Sequence, residues 1–140
     1  MRAEGAGFVI FRSGTVGSEE PLILALVQED GVFDIPKGRM DEGETELQTA
    51  KRECFEECSI MISDEEMFLT KHSPHIHGNL TTFCAKTDKA PNITINPHSG
   101  ILEHSGFEWV TKEDFCSNCL GYLKEPVQHF YSVLDMSYND

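Results

Sequence analysis

The chain has 140 residues and a formal net charge of −13, from 11 basic and 24 acidic side chains. That balance argues against broad binding of extended nucleic acid, which depends on basic surface. Hydrophobic residues make up 39% of the chain, no apolar run approaches the ~20 residues of a membrane span, and the N-terminal stretch lacks a signal-peptide pattern, so a cytoplasmic protein forming one domain over 1–140 is expected.

Phe8–Phe11 and Leu22–Val27 are short apolar runs separated by a turn-rich stretch, and read as two strands of a hairpin-like unit. Glu29-Asp30-Gly31 turns the chain into Val32–Ile35, and Pro36-Lys37-Gly38 opens a tight loop. A helix is predicted over about Glu44–Cys58, with Leu47, Ala50, Cys54 and Cys58 on its buried face. Met67–Thr70 and Leu80–Ala85 read as further strands, separated by a polar loop over Lys71–Asn79 that carries His72, His75 and His77. Residues 89–100 hold prolines, asparagines and a glycine, and are expected to form a connecting loop. Phe107–Val110 reads as a strand leading to Thr111, a good N-cap for a short helix. A last helix is predicted from near Glu125-Pro126, with Val127, Phe130, Tyr131 and Leu134 as its apolar stripe. Strands flanked by helices give an α/β or α+β class.

The five cysteines are an odd number without a secretion signal, which favours reduced thiols. Cys54 and Cys58 suit core packing, and the single Cys116–Cys119 pair falls short of a zinc-site pattern.

Glu53, Glu56 and Glu57 fall at i, i+3 and i+4 of the predicted helix. At about 100° per residue, Glu57 stands about 40° to one side of Glu53 and Glu56 about 60° to the other. Three carboxylates this close repel one another unless something neutralises them. Oxygen donors suit hard divalent cations such as Mg²⁺ and Mn²⁺. The stretch therefore reads as a site for metal-dependent phosphate chemistry.

The stretch from Gly38 to Ile60 also resembles the Nudix hydrolase signature, G-x5-E-x7-R-E-U-x-E-E-x-G-U with U an apolar residue. Gly38, Glu44, Arg52, Glu53, Glu56, Glu57 and Ile60 fall in register, and Cys54 takes the first U position. A merely solvated acidic helix would not account for the loop and turn that precede it at the family spacing. Ser59 departs from the pattern, standing where the family has glycine. A left-handed residue there closes the helix, and serine can adopt that conformation at a cost of roughly 1 kcal/mol. A small loss of stability is expected, with the upstream carboxylates intact.

The resemblance implies a Nudix-type α/β/α sandwich around a mixed central sheet. It implies phosphoanhydride hydrolysis with Mg²⁺ or Mn²⁺ as cofactor, the ions held by Glu53, Glu56, Glu57 and a backbone carbonyl near Lys37. Cations make such bonds cleavable by neutralising phosphate oxygens that repel a nucleophile. Glu44 and Arg52 are expected to hold the acidic helix and its loop together. Lys37 and Arg39 are candidate phosphate contacts. The general base is either one of the box glutamates or Glu103, from a distant loop.

Flanking elements resemble the asymmetrical diadenosine tetraphosphate hydrolase branch. Arg2–Arg12 is similar to its opening strand. Phe33-Asp34-Ile35-Pro36-Lys37-Gly38 is similar to its W-x-x-P-K-G lead-in, with phenylalanine for tryptophan. Glu103-His104 ahead of Phe107-Glu108-Trp109 resembles its E-H-x-x-(aromatic)-x-W element. In that branch water attacks the polyphosphate chain and releases ATP and AMP. ADP-ribose or dNTP hydrolysis is the alternative, as is cleavage of RNA 5′ ends, which the acidic charge disfavours. A fold kept for binding alone is disfavoured because every box acid is present. Phe33, His75, His77 and Phe130 are candidate platforms for a base, and His75 and His77 candidate substrate contacts from the 71–79 loop. The expected partner is a small nucleotide, bound by a monomer or homodimer.

Overall fold

The computed structural model describes residues 4–12, 20–67, 74–93, 95 and 103–139. Its centre is strand β1 (Gly5–Arg12), whose residues 6–11 are all buried. Such a continuous apolar run suits a strand covered on both faces. Ala6, Phe8 and Ile10 point into one core and Val9 and Phe11 into the other.

Strand β2 (Leu22–Val27) pairs antiparallel with the end of β1, through Phe11↔Ile23 and Arg12↔Leu22, and then diverges from it. The segment 33–39 fills the gap between them. Strand β3 (Phe33–Asp34) pairs with β2, and strand β4 (Lys37–Arg39) pairs with the first residues of β1. Between them, Pro36 accepts the Phe8 N–H at 3.0 Å. Gly7 permits this approach, because a Cβ there would lie 2.5 Å from the Pro36 oxygen and from Lys37 Cβ. On the far edge of β1 runs the parallel strand β6 (Leu80–Lys86), with β5 (His75–His77) antiparallel beyond it. Strand β7 (Gly106–Val110) covers the free edge of β2.

Helix α1 (Glu46–Cys58) packs on one face of this mixed sheet through Ala50, Cys54 and Cys58. Helices α2 (Lys112–Asn118) and α3 (Lys124–Asn139) pack on the other, through Phe115 and through Val127, Phe130, Tyr131 and Leu134. The sandwich and the predicted apolar stripe of α3 are both present. Thr45 closes a capping box with Gln48 at the start of α1, and Thr111 caps α2. No helix among the described residues is long and apolar enough to cross a membrane.

Two expectations need correction. The polar stretch expected to be a loop over 71–79 contains β5, which lacks an apolar run of its own. It is set instead by pairing His75↔Thr82 and His77↔Leu80 through a turn at Gly78, whose φ is +58°. Met67, expected to open a strand, ends a 3-10 turn over Glu65–Met67. Residues 68–70 and His72 lie outside the described residues. Ser59 adopts the left-handed conformation at φ 64°, where its N–H donates to Phe55 O and its hydroxyl to Asn92 O.

Candidate active site

The rotation of α1 follows from its buried face. With Ala50, Cys54 and Cys58 fixed in the core, Glu53 and Glu57 turn towards β4 and retain only 9% and 7% exposure. The Lys37 N–H donates to Glu57 Oε2 at 2.7 Å, tying the helix to the loop. Gly38 sits directly against Glu53, and a Cβ there would overlap its carboxylate carbon and both oxygens. The position tolerates no side chain while that carboxylate stays in place.

Arg52 is the hub of this region. Its Nε and one terminal nitrogen donate to Glu44 at 2.7 and 3.0 Å. The other terminal nitrogen bridges Glu53 at 2.9 Å and Glu56 at 3.1 Å. The Arg39 carbonyl accepts a further bond at 2.9 Å. Glu44 also accepts from the Asp41 N–H and the Thr49 hydroxyl. Bonding to Arg52 is the main reason its carboxyl titrates low, at about 2. Glu44 and Arg52 thus join helix and loop.

Lys37, Gly38, Arg39, Asp41, Arg52, Glu53, Glu56, Glu57 and Glu103 line one cleft of about 310 Å³. Glu103 arrives from the segment before β7, far away in sequence. Five carboxyl side chains line the cleft beside three basic ones. Burial pushes the Glu57 carboxyl up to about 9, helped by Glu53, Asp34 and Glu103 and opposed by the Lys37 N–H. Burial likewise raises Glu53, against the pull of Arg52. Among the described residues, no three His, Cys, Asp or Glu side chains converge on a common point, since Glu53 and Glu56 are turned to Arg52. The donor set nevertheless fits a hard divalent cation. It is all oxygen and it clusters on one helix face, where Glu53 and Glu56 share the single Arg52 guanidinium.

A second cleft of about 500 Å³ shares Lys37, Gly38 and Arg39 with the first, and extends past Glu4, His77, Asn79 and Leu80 to Tyr122. Tyr122 is 44% exposed, and its ring lies 5.5 Å from the Lys37 ammonium. Burial works to lower the Lys37 pKa, but Asp34 at 3.4 Å and Tyr122 together hold it above its ordinary value.

Of the sequence candidates, His77 lines the second cleft and bonds Glu125 at 2.7 Å. His75 lines neither cleft. It packs behind His77, its ring 4.8 Å from His129 and its buried Nδ1 without a hydrogen-bond partner among the described residues. Phe33 and Phe130 are buried in the core facing α2 and α3. Nothing in the sequence marks Tyr122 or Asp34 as part of the site. Tyr122 lies in a 3-10 turn carrying no motif, and Asp34 reads as an unspecified position inside the lead-in.

A family model for the NUDIX domain matches residues 1–131, so the chain belongs to the Nudix hydrolase family. Among solved structures, it resembles a C. elegans Ap4A hydrolase binary complex at TM-score 0.73 and 23% identity, covering 94% of this chain and 98% of that one. It resembles the E. coli dihydroneopterin triphosphate pyrophosphohydrolase at TM-score 0.65 and 17% identity, covering 94% and 98%. A Francisella tularensis bifunctional NMN adenylyltransferase/ADP ribose pyrophosphatase, complexed with AMP and a Mn ion, matches at TM-score 0.61 and 15% identity over 97% of this chain and 42% of that one. No curated protein sequence matches the chain. At these identities the likenesses define the fold.

Proposed function

We propose that this protein hydrolyses a phosphoanhydride in a dinucleoside polyphosphate such as diadenosine tetraphosphate, giving ATP and AMP with Mg²⁺ or Mn²⁺ as cofactor. The observation that carries this reading is the pair of clefts meeting at Lys37–Arg39. One is acidic and suited to cations, the other larger and edged by an aromatic ring. A polyphosphate chain fits the first while its nucleoside stacks at Tyr122 and His77, and such stacking contributes ~1–3 kcal/mol per base.

Glu53, Glu56, Glu57 and the Lys37 carbonyl would hold the cation. When bound, it supplies neutralisation of the phosphate oxygens and Lewis acidity at phosphorus. Arg39, exposed at the border of the two clefts, and Lys37 orient the phosphate chain. A carboxylate takes the proton of the attacking water, and Glu103 is the candidate. Glu44 spreads Arg52 against the loop, so that Arg52 holds the acidic side chains together before substrate arrives. The P-K-G and E-H elements support this substrate over ADP-ribose or dNTPs.

The test is a substrate panel with product identification. Diadenosine tetraphosphate should be the preferred substrate and give ATP plus AMP in a cation-dependent reaction. Much faster cleavage of ADP-ribose or a dNTP would overturn the substrate assignment.

A further inference from the structure

Next to Lys37, where the two clefts meet, His104 and Asp34 form a buried pair, each 5% exposed, that lines neither cleft. His104 Nε2 lies 3.2 Å from Asp34 Oδ2. Burial works to raise the Asp34 pKa, but the His104 bond, Lys37 and the Ile35 N–H hold it below the ordinary carboxylate value. An ionised carboxylate only accepts, so Nε2 carries the hydrogen and donates. The other carboxylate oxygen accepts the Ile35 N–H at 2.8 Å and faces the Lys37 ammonium at 3.4 Å.

The pair joins two segments far apart in the chain. One is the 33–39 insert that carries Lys37 and Gly38. The other carries Glu103, whose exposed side chain lines the acidic cleft. Ser105 reinforces the attachment, because its N–H and hydroxyl donate to the Val27 carbonyl at 2.8 and 3.2 Å. Residues 104 and 105 are both tied down, which anchors the backbone on the C-terminal side of Glu103. Burying an ionic pair adds little net stability compared with apolar packing. What it does provide is a fixed relation between two loops to within a hydrogen bond, as a reacting centre requires.

We propose that His104 is a positioning residue, which seats Glu103 in the acidic cleft by bonding Asp34 across the 33–39 insert. This rests on the reading of Glu103 as a participant in hydrolysis. The test uses His104→Leu, His104→Gln, Glu103→Gln and the double variant His104→Leu/Glu103→Gln, assayed with Mg²⁺ on the panel's best substrate. Amide hydrogen exchange at Ser105 is measured alongside, because it needs no turnover.

His104→Leu should lower kcat on the order of 10- to 100-fold, leave KM within about twofold, and speed Ser105 exchange. His104→Gln places an amide N–H near the same Asp34 oxygen and should recover most of both. The double variant should be no slower than Glu103→Gln alone. The proposal is overturned if His104→Leu keeps wild-type kcat, if glutamine rescues nothing, if the two losses add, or if Ser105 exchange is unchanged. An unimpaired Glu103→Gln beside an impaired His104→Leu also overturns it, while leaving the metal cleft itself intact. If the wild-type protein cleaves no nucleotide on the panel, the proposed function fails and the exchange measurement alone decides the positioning.

Discussion

The acidic cleft and the larger cleft beside it share Lys37, Gly38 and Arg39, but they are built in opposite ways. Most of the acidic cleft comes from one helix and the loop before it, so its chemistry is set by residue spacing along a few turns. The larger cleft is assembled from β4, the turn after β5 and the 3-10 turn holding Tyr122. No local pattern marks that arrangement. Chemistry carried by one element is fixed by that element's period, whereas a binding wall made of separated segments is fixed by sheet pairing. The first kind should therefore govern turnover and the second affinity.

The comparison is best broken where both halves meet. Gly38→Ala places a methyl group against the Glu53 carboxylate, and kcat should fall on the order of 100-fold as that side chain is displaced. Kinetics showing unchanged kcat would mean that Glu53 need not sit where it is seen. Tyr122→Ala tests the other half, and should raise KM about tenfold while kcat changes little. A comparable loss in kcat would erase the division of labour.

A thermal-stability series sharpens the electrostatic side of the contrast. The Glu57 carboxyl titrates at about 9 when folded, against an ordinary 4.5. Its raised value means that the folded state binds more protons across that window. Stability present below the unfolded pKa is therefore lost as pH rises towards the folded one. In chelator the midpoint temperature should drop between about pH 5 and pH 9, and Glu57→Gln should flatten the drop. Saturating Mg²⁺ should reverse it, since a cation held by the folded state alone stabilises it. A profile identical in the wild type and the variant would remove Glu57 as the source.

The smallest effect is expected at Ser59→Gly. Relief of the left-handed backbone is worth about 1 kcal/mol, but the lost hydroxyl bond to Asn92 offsets about as much. Calorimetry should find a shift under about 2 °C, with full activity. Lost activity would tie this helix end to the site.

Much of this fold can be read from the chain because apolar runs and caps act locally. The strands β1, β2, β6 and β7 and the three helices were all expected near their observed positions. β4 is not legible, because Lys37-Gly38-Arg39 has no strand-like alternation and becomes a strand only through the gap between β1 and β2. β5 is hidden for a related reason, its two histidines flanking an exposed Ile76. At the site, the spacing of Glu53, Glu56 and Glu57 was legible. The partner of His104 is not, because Asp34 lies 70 positions away and meets it only through the tertiary fold.

The most direct measurement is the kcat of Glu56→Gln and Glu57→Gln on the whole nucleotide panel as Mg²⁺ is varied. If the acidic face of α1 holds the cation, both variants should lose on the order of 100-fold or more in kcat on every substrate the wild type cleaves, with no recovery at high Mg²⁺ for Glu57→Gln. Wild-type rates for both variants on every substrate would contradict the assignment of this cleft as the hydrolytic centre.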